Sequence, residues 1–384
     1  DSIKITFVLS AIGSTLAMFW ALSQRFGKKE SFAGAVTYLF IPYRFVDLYV
    51  RGSLGENLAF LFLPLILGCL FKVSKGEKKF FPVYSLSIGL LILSHNAIAA
   101  IFLPIFLIYA FFLLRKYFLE SLLYLSLGIG ISSFFSIPAI FDLQFVKITQ
   151  IQISNINEHL VSIPKLIIPT WGFSPSPQSE TGSLSTQLGL ISIALFTTSF
   201  FVFLRNKKDA ILKISLLLYL ITAFLLTDYS QQIWGNIPGI SVIQFPWRML
   251  SVIVFFSALF AAYVIENSNK KSLVAALIVI LSICSTIVFT KPASFTNKGD
   301  GFYSTNEDTT TVREEYMPIW VKEKPQERAN EKIVINSNEA QILEQKILPT
   351  RYSAKINSSQ DTQVIINSID FPGWEVTSGN NKIP

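Results

Sequence analysis

Long apolar runs separated by short polar islands fill the first three quarters of the chain, and alternation of apolar and polar positions appears only near its end. Runs of roughly 17–25 apolar residues can cross a bilayer as helices. About ten such runs are legible, at 3–23, 32–46, 58–73, 80–94, 97–114, 119–141, 188–204, 210–226, 249–265 and 273–289. The second and fourth are short. The fourth and fifth nearly fuse around Ser94, His95 and Asn96, where a tight hairpin is expected rather than one very long helix. The pattern therefore predicts an all-α polytopic membrane protein over 1–290. A connector follows over 291–330, and then a partial β-rich domain over 331–384, where YSAKI and TQVIINSI alternate as exposed strands do, with Asn357, Ser358 and Ser359 between them. The chain starts at Asp1 and stops within a strand pattern, so it is read as a piece of a longer one.

Charge adds orientation. Every second loop is basic: Arg25, Lys28 and Lys29; Lys72, Lys75, Lys78 and Lys79; Arg115 and Lys116; Arg205, Lys207 and Lys208; Lys270 and Lys271. Short cytoplasmic loops collect Lys and Arg, so these loops are expected inside. The alternate segments then face outward: 42–57, the His95 turn, the Pro- and Ser-rich loop 142–187, the loop 228–248 and everything after 291, including the β-rich domain. With 51% hydrophobic and 15% charged residues, the net charge of +7 reads as topology and not as a nucleic-acid surface. The two cysteines, Cys69 and Cys284, both lie in apolar segments far from each other and define neither a disulfide framework nor a metal site.

Candidate chemistry gathers in three outward islands. The first is PYRFVDLYVRGSLGEN, residues 42–57. In a helix Arg44, Asp47 and Arg51 would share one face, and charges at the edge of a bilayer are costly unless paired, hydrated or held by a ligand. The plain alternative is an Arg44–Asp47 pair anchoring a helix end. The second island is His95 with Asn96. The third is QFPWRML, residues 244–250, which places Arg248 in the first turn of a helix, where a cation opposes the helix dipole unless an anion lies nearby.

Arg44, Arg51 and Arg248 together would suit a phosphate, because guanidinium forks match phosphate oxygens. Asp47 and Glu56 could serve as a base, bind a divalent metal ion or orient the arginines. Glu314 and Glu315 in the connector are also expected outside, as an ordinary solvated pair or as part of the site. Trp171, Trp234 and Trp247 lie near outward helix ends, as interfacial anchors or site walls. The chain has no Walker P-loop, GxGxxG after a strand, HExxH or paired CxxC, and its two histidines, His95 and His159, cannot build a three-histidine zinc site.

Five stretches, PYRFVDLYVRGSLGENLAFLFLPLIL, LSHNAIA, QFPWRML, REEYMP and IDFPGWEV, resemble the multispanning proteins called 6-pyruvoyl-tetrahydropterin synthase-related membrane proteins. These are in turn similar to GT-C polyprenyl-phosphate-sugar glycosyltransferases and to large membrane proteins of the lipoteichoic-acid glycosylating kind. The pterin activity itself is not implied, since its zinc triad of histidines is missing. Similarity to the GT-C class implies transfer of a sugar from a polyprenyl-phosphate donor, on the outer face of the cell membrane, to a lipid-linked or cell-surface glycan acceptor. Arg44, Arg51, Glu56, His95, Asn96 and Arg248 would then contact donor phosphate or sugar. In that class the catalytic acid usually lies in a first outer loop, which would precede Asp1, so the base is unassigned and Asp47 is a weak substitute. A flippase for a polyprenyl-linked glycan should show inverted repeats and midplane broken helices, and no repeat is evident. A non-catalytic scaffold binding cell-wall polymer is the third reading.

Overall fold

The computed structural model describes the chain apart from residues 1, 151–154, 180–181, 206, 237–242, 296–297, 300, 303–313, 324, 326–328, 338, 380 and 384. It divides into two units: 1–141 with 152–297, and 142–151 with 298–384.

The first unit is helical. Its long elements are α1 (Ser2–Ser23), α2 (Lys28–Leu39), α4 (Leu54–Ser74), α5 (Phe81–Ser94), α6 (Asn96–Leu114), α7 (Phe118–Ile131), α8 (Ser133–Asp142), α10 (Leu190–Arg205), α11 (Ala210–Leu225), α13 (Leu250–Glu266) and α14 (Lys271–Thr286). Short turns of helix intervene: α3 (Pro42–Phe45), α9 (Ile163–Ile167) and α12 (Gln231–Asn236). Each of the ten apolar runs is thus helical, and the chain does turn at His95, which separates α5 from α6. Among the described residues, five helical stretches are long and apolar enough to cross a membrane: Ser2–Ser23, Leu54–Ser74, Asn96–Ile131, Pro246–Glu266 and Lys271–Phe289. The other runs give shorter helices, because glycine, proline and polar breaks divide them.

Burial sorts the helices by position. The span Pro246–Glu266 is 83% buried and forms the centre, with α2, α10 and α11 around it, whereas Lys271–Phe289 is only 28% buried and lies at the periphery. On α1 the exposed residues Ile5, Leu9, Ile12 and Leu16 form one stripe at helical spacing, with Ser10, Ser14, Ala17, Met18 and Ala21 buried on the other side. An apolar stripe left outward and small residues turned inward is the arrangement of a helix solvated by lipid.

The basic loops meet at one end. Arg25 pairs with Asp209 at 2.7 Å, Lys271 with Glu30 at 2.9 Å and Lys78 with Glu120 at 2.9 Å. Lys75 donates to the Gln24 carbonyl, and Lys29 to Ser272 Oγ at 2.6 Å. Helices α4 and α13 run between this end and the opposite one, where their N-termini bring together residues 42–57 and Arg248.

The second unit holds three two-stranded antiparallel sheets: β1 (Ile333–Ile335) with β4 (Val364–Ile366), β2 (Ala340–Leu348) with β3 (Arg351–Ser358), and β5 (Val376–Ser378) with β6 (Asn381–Ile383). YSAKI and the VII of TQVIINSI are strands, but each pairs with an upstream partner and not with the other. Pro349 and Thr350 form a two-residue connection that favours β2–β3 pairing through its short loop. Residues 142–151, expected to begin a loop of the helical domain, cluster with this unit instead. Lys147 N–H donates to the Met317 carbonyl and Ile319 N–H to the Phe145 carbonyl, both at 2.9 Å, and Phe145, Trp320 and Phe371 share an aromatic cluster.

Candidate functional site: a buried ion network beside Arg248

Pro42 opens α3 at its first position, where its missing N–H and fixed φ are favourable. The chain then takes a π-helical turn, Val46–Val50, closed by the Arg51 N–H on the Val46 carbonyl at 3.0 Å. Such single π-turns are common at functional sites, because the extra residue re-aims side chains. Gly52, at φ +57, reverses the backbone into α4, a conformation that favours glycine.

The turn redistributes the three charges that an α-helix would align. Asp47 and Arg51 pair at 2.7 Å, whereas Arg44 turns into the helix bundle. There it donates from Nη2 to Ser14 Oγ at 2.9 Å and lies over the Phe60 ring at 4.2 Å. No Arg44–Asp47 ion pair forms among the described residues.

Glu56, in the first turn of α4, completes a closed network. Arg51 Nη1 donates to Asp47 Oδ1 at 2.7 Å and to Glu56 Oε2 at 2.5 Å. Tyr43 Oη donates to Glu56 Oε1 at 2.5 Å, and Asn57 Nδ2 to Asp47 Oδ2 at 2.7 Å. Each of the four carboxylate oxygens thus has a donor, and both side chains are fully buried. Ser53 and Glu56 have the spacing of a capping box, yet Ser53 caps nothing with its side chain, because Glu56 is drawn to Tyr43 and Arg51.

His95 closes the site from the α5–α6 turn. Its Nδ1 accepts from the Ile98 N–H at 3.2 Å and caps α6, which leaves Nε2 3.9 Å from Glu56 Oε2. Gly55 permits this approach, since a Cβ there would stand 2.4 Å from the Ser94 carbonyl oxygen. Gly55→Val should force α4 away from the turn and destabilise the protein by roughly 1–3 kcal/mol, measured by thermal unfolding in detergent; an unchanged melting point would show that the contact yields freely. Asn96 is exposed and its Oδ1 accepts from the next residue's own N–H, so it stays outside the network.

Burial pushes the His95 imidazole down to about 4, against the pull of Glu56 and with the nearby Arg248 and Arg51 charges adding to the fall. The neutral ring is therefore the folded form. A histidine with an ordinary pKa of about 6.5 when unfolded then contributes stability that is fully present above that value. This contribution is lost as pH falls towards about 4. His95→Gln should flatten the loss of melting temperature across this interval, and an identical pH profile in both proteins would contradict the assignment.

Arg44, 3% exposed, has Nε and Nη1 without a hydrogen-bond partner among the described residues, and Arg248 is a second nearly buried guanidinium. It is 9% exposed, and among the described residues no carboxylate lies within ion-pair distance of it. Nη1 donates to the Ile243 carbonyl at 2.8 Å and to Gln244 Oε1 at 3.0 Å, while Nε has no partner among the described residues. Its guanidinium lies 5.1 Å from the Phe245 ring, which stacks on Trp247 at 4.9 Å; Trp247 in turn covers Arg51 at 4.2 Å. His159 meets Phe245 edge-on at 4.9 Å.

Other expected positions resolve differently. Trp234 and Trp247 are buried and not interfacial anchors; Trp234 donates to the Leu225 carbonyl at 2.9 Å. Trp171 is half-buried and stacks on Phe289. Glu314 and Glu315 belong to the second unit, where Glu314 lies 3.8 Å from Lys147 and Glu315 is buried and not solvated; most of the connector before them lies outside the described residues. No group of three His, Cys, Asp or Glu side chains that could hold a metal converges among the described residues. Between Asp47 and Glu56, Arg51 occupies the place a bridging cation would take.

Arg51, Glu56, His95 and Arg248 are thus brought together with Asp47, whereas Arg44 and Asn96 are not. Tyr43, Asn57 and Ser14 escaped the sequence reading, since neutral side chains beside charges carry no signal of their own. No curated protein and no solved structure matches the chain. The 6-pyruvoyl-tetrahydropterin synthase related domain, described as a membrane protein, matches residues 2–297, which takes in the whole ion network, Arg248 and the helices that hold them. The chain belongs to the 6-pyruvoyl-tetrahydropterin synthase related family of membrane proteins.

Proposed function

We propose that this protein is a multi-pass glycosyltransferase of GT-C type, using a polyprenyl-phosphate-linked sugar at the outer face of the membrane. In this reading all ten apolar runs cross or enter the bilayer, the lysine-rich end is cytoplasmic and the chain after α14 is extracytoplasmic. The gathering of basic loops at the end opposite the network supports that orientation. One observation carries the functional reading: Arg248 is a nearly buried guanidinium with no carboxylate within ion-pair distance among the described residues, beside a network whose four carboxylate oxygens each already have a donor. A buried unpaired cation is costly, and an anionic ligand would offset that cost.

The donor phosphate would meet Arg248, with His95 beside it as a neutral ring. Arg51, held by Asp47 and Glu56 under Trp247, would fix the site's shape without leaving its partners. As the acceptor oxygen bonds to the anomeric carbon, the bond from that carbon to the phosphate oxygen breaks, the hydroxyl proton passes to the departing phosphate, and the negative charge remaining on that phosphate is stabilised by Arg248. Asp47 is a poor base, because protonating it would break its hydrogen bond with Arg51 or Asn57. In membranes supplied with radiolabelled polyprenyl-phosphate sugars, label should pass into a lipid-linked or polymer fraction, and Arg248→Ala should slow this on the order of tenfold or more while insertion is retained. Label that changes leaflet without changing its chemical attachment would replace this reading with a flippase.

A further inference from the structure

At the lysine-rich end, far from the ion network, an apolar groove opens between α2 and α14 with a volume of about 290 Å³. Phe32, Ala275, Ala276 and Val279 line it, and Lys29 and Ser272 form its mouth. Phe32 is 56% exposed, and α14 is peripheral, so the groove faces the surroundings of the helical unit and not its core. The two alanines keep the wall low enough for an extended hydrocarbon chain to lie against the helix backbone.

The charge around the mouth selects among lipids. Lys28, Lys29, Lys270 and Lys271 gather here at the starts of the two helices, against Glu30 and Glu266. Glu30 pairs with Lys271 at 2.9 Å, whereas Lys29 donates to the neutral Ser272 hydroxyl at 2.6 Å and has no ion pair among the described residues. Four lysines against two glutamates leave a surplus of two positive charges at the level where lipid headgroups lie.

We propose that this groove is a binding site for an anionic phospholipid of the leaflet at the lysine-rich end, with an acyl chain along Phe32 and the alanines and its phosphate at Lys29 and Ser272. The site is independent of the glycosyltransferase reading. Each lysine near such a surface favours an anionic headgroup modestly, and two together amount to an enrichment on the order of tenfold.

The test uses the full chain carrying a photoreactive benzoylphenylalanine at Phe32, in nanodiscs of phosphatidylcholine with phosphatidylglycerol as the minor lipid. Mass spectrometry of the crosslinked lipid should find phosphatidylglycerol enriched on the order of tenfold over its share of the disc. The enrichment should collapse in Lys28→Gln/Lys29→Gln, whose exposed side chains are not needed for folding. Ala276→Leu, which fills the groove and leaves the charges in place, should also abolish it. Adducts that mirror the bulk composition in the unaltered site would overturn the proposal, as would enrichment that survives loss of both lysines or filling of the groove.

Discussion

Arg51→Ala is expected to destabilise the helical unit by on the order of 3–5 kcal/mol, enough to prevent accumulation of folded protein in the membrane. The substitution strands two fully buried carboxylates, since Arg51 is the ion-pair partner of both Asp47 and Glu56. Neither Asn57 nor Tyr43 can supply a compensating charge. Arg51→Lys should recover only part of the loss, because an ammonium cannot lie flat against Trp247 as the guanidinium does at 4.2 Å while its Nη1 serves both acids. A variant that neutralises the cluster together, Arg51→Met with Asp47→Asn and Glu56→Gln, should be more stable than Arg51→Ala alone. Thermal unfolding in detergent would decide it, and a cost below about 1 kcal/mol for Arg51→Ala would mean that the network is not held as described.

Arg248→Met should show the opposite signature. Removing a nearly buried cation that has no carboxylate within ion-pair distance among the described residues relieves a desolvation cost, so stability should stay within about 1 kcal/mol of the parent or rise. Binding of a polyprenyl phosphate should nevertheless weaken by on the order of a hundredfold, since truncating one side of a buried charge pair typically costs 2–5 kcal/mol. The pairing of the two measurements gives the prediction its force. A stable protein with lost affinity identifies a ligand-binding arginine. Full affinity with lost stability would make Arg248 a helix-capping residue that serves the Ile243 carbonyl and Gln244, and the proposed donor site would have to move.

How much of this was legible beforehand differs by level. The helical segments followed from apolar runs that any folded arrangement must shield from water, and each of the ten proved helical. The turn at His95 followed from three polar residues interrupting two such runs. The gathering of charges into one site is legible for Arg51, Glu56, His95 and Arg248, which lie in the three polar islands. It was misjudged for Arg44 because α-helical spacing does not survive the π-turn at Val46–Val50. In the second unit, alternation identified YSAKI as a strand but not its partner, which depends on the loop at Pro349 and Thr350 and on the upstream AQILEQKIL.

The sequence by itself determined which segments are helical, that the chain belongs with membrane proteins and which loops carry the positive charge, since these depend on local composition and on transfer of side chains out of water. Only the tertiary structure decided which charges are spent on one another. Asp47 and Glu56 share Arg51 because α3, the π-turn and α4 converge, and Arg44 is withdrawn towards Ser14 on α1, thirty positions away in the chain. Arg248, nearly two hundred residues from Arg51, shares Trp247 and Phe245 with that network, yet among the described residues no carboxylate lies within ion-pair distance of it. Pairing of charges depends on distances of a few ångströms between distant segments, and a linear sequence does not carry those distances.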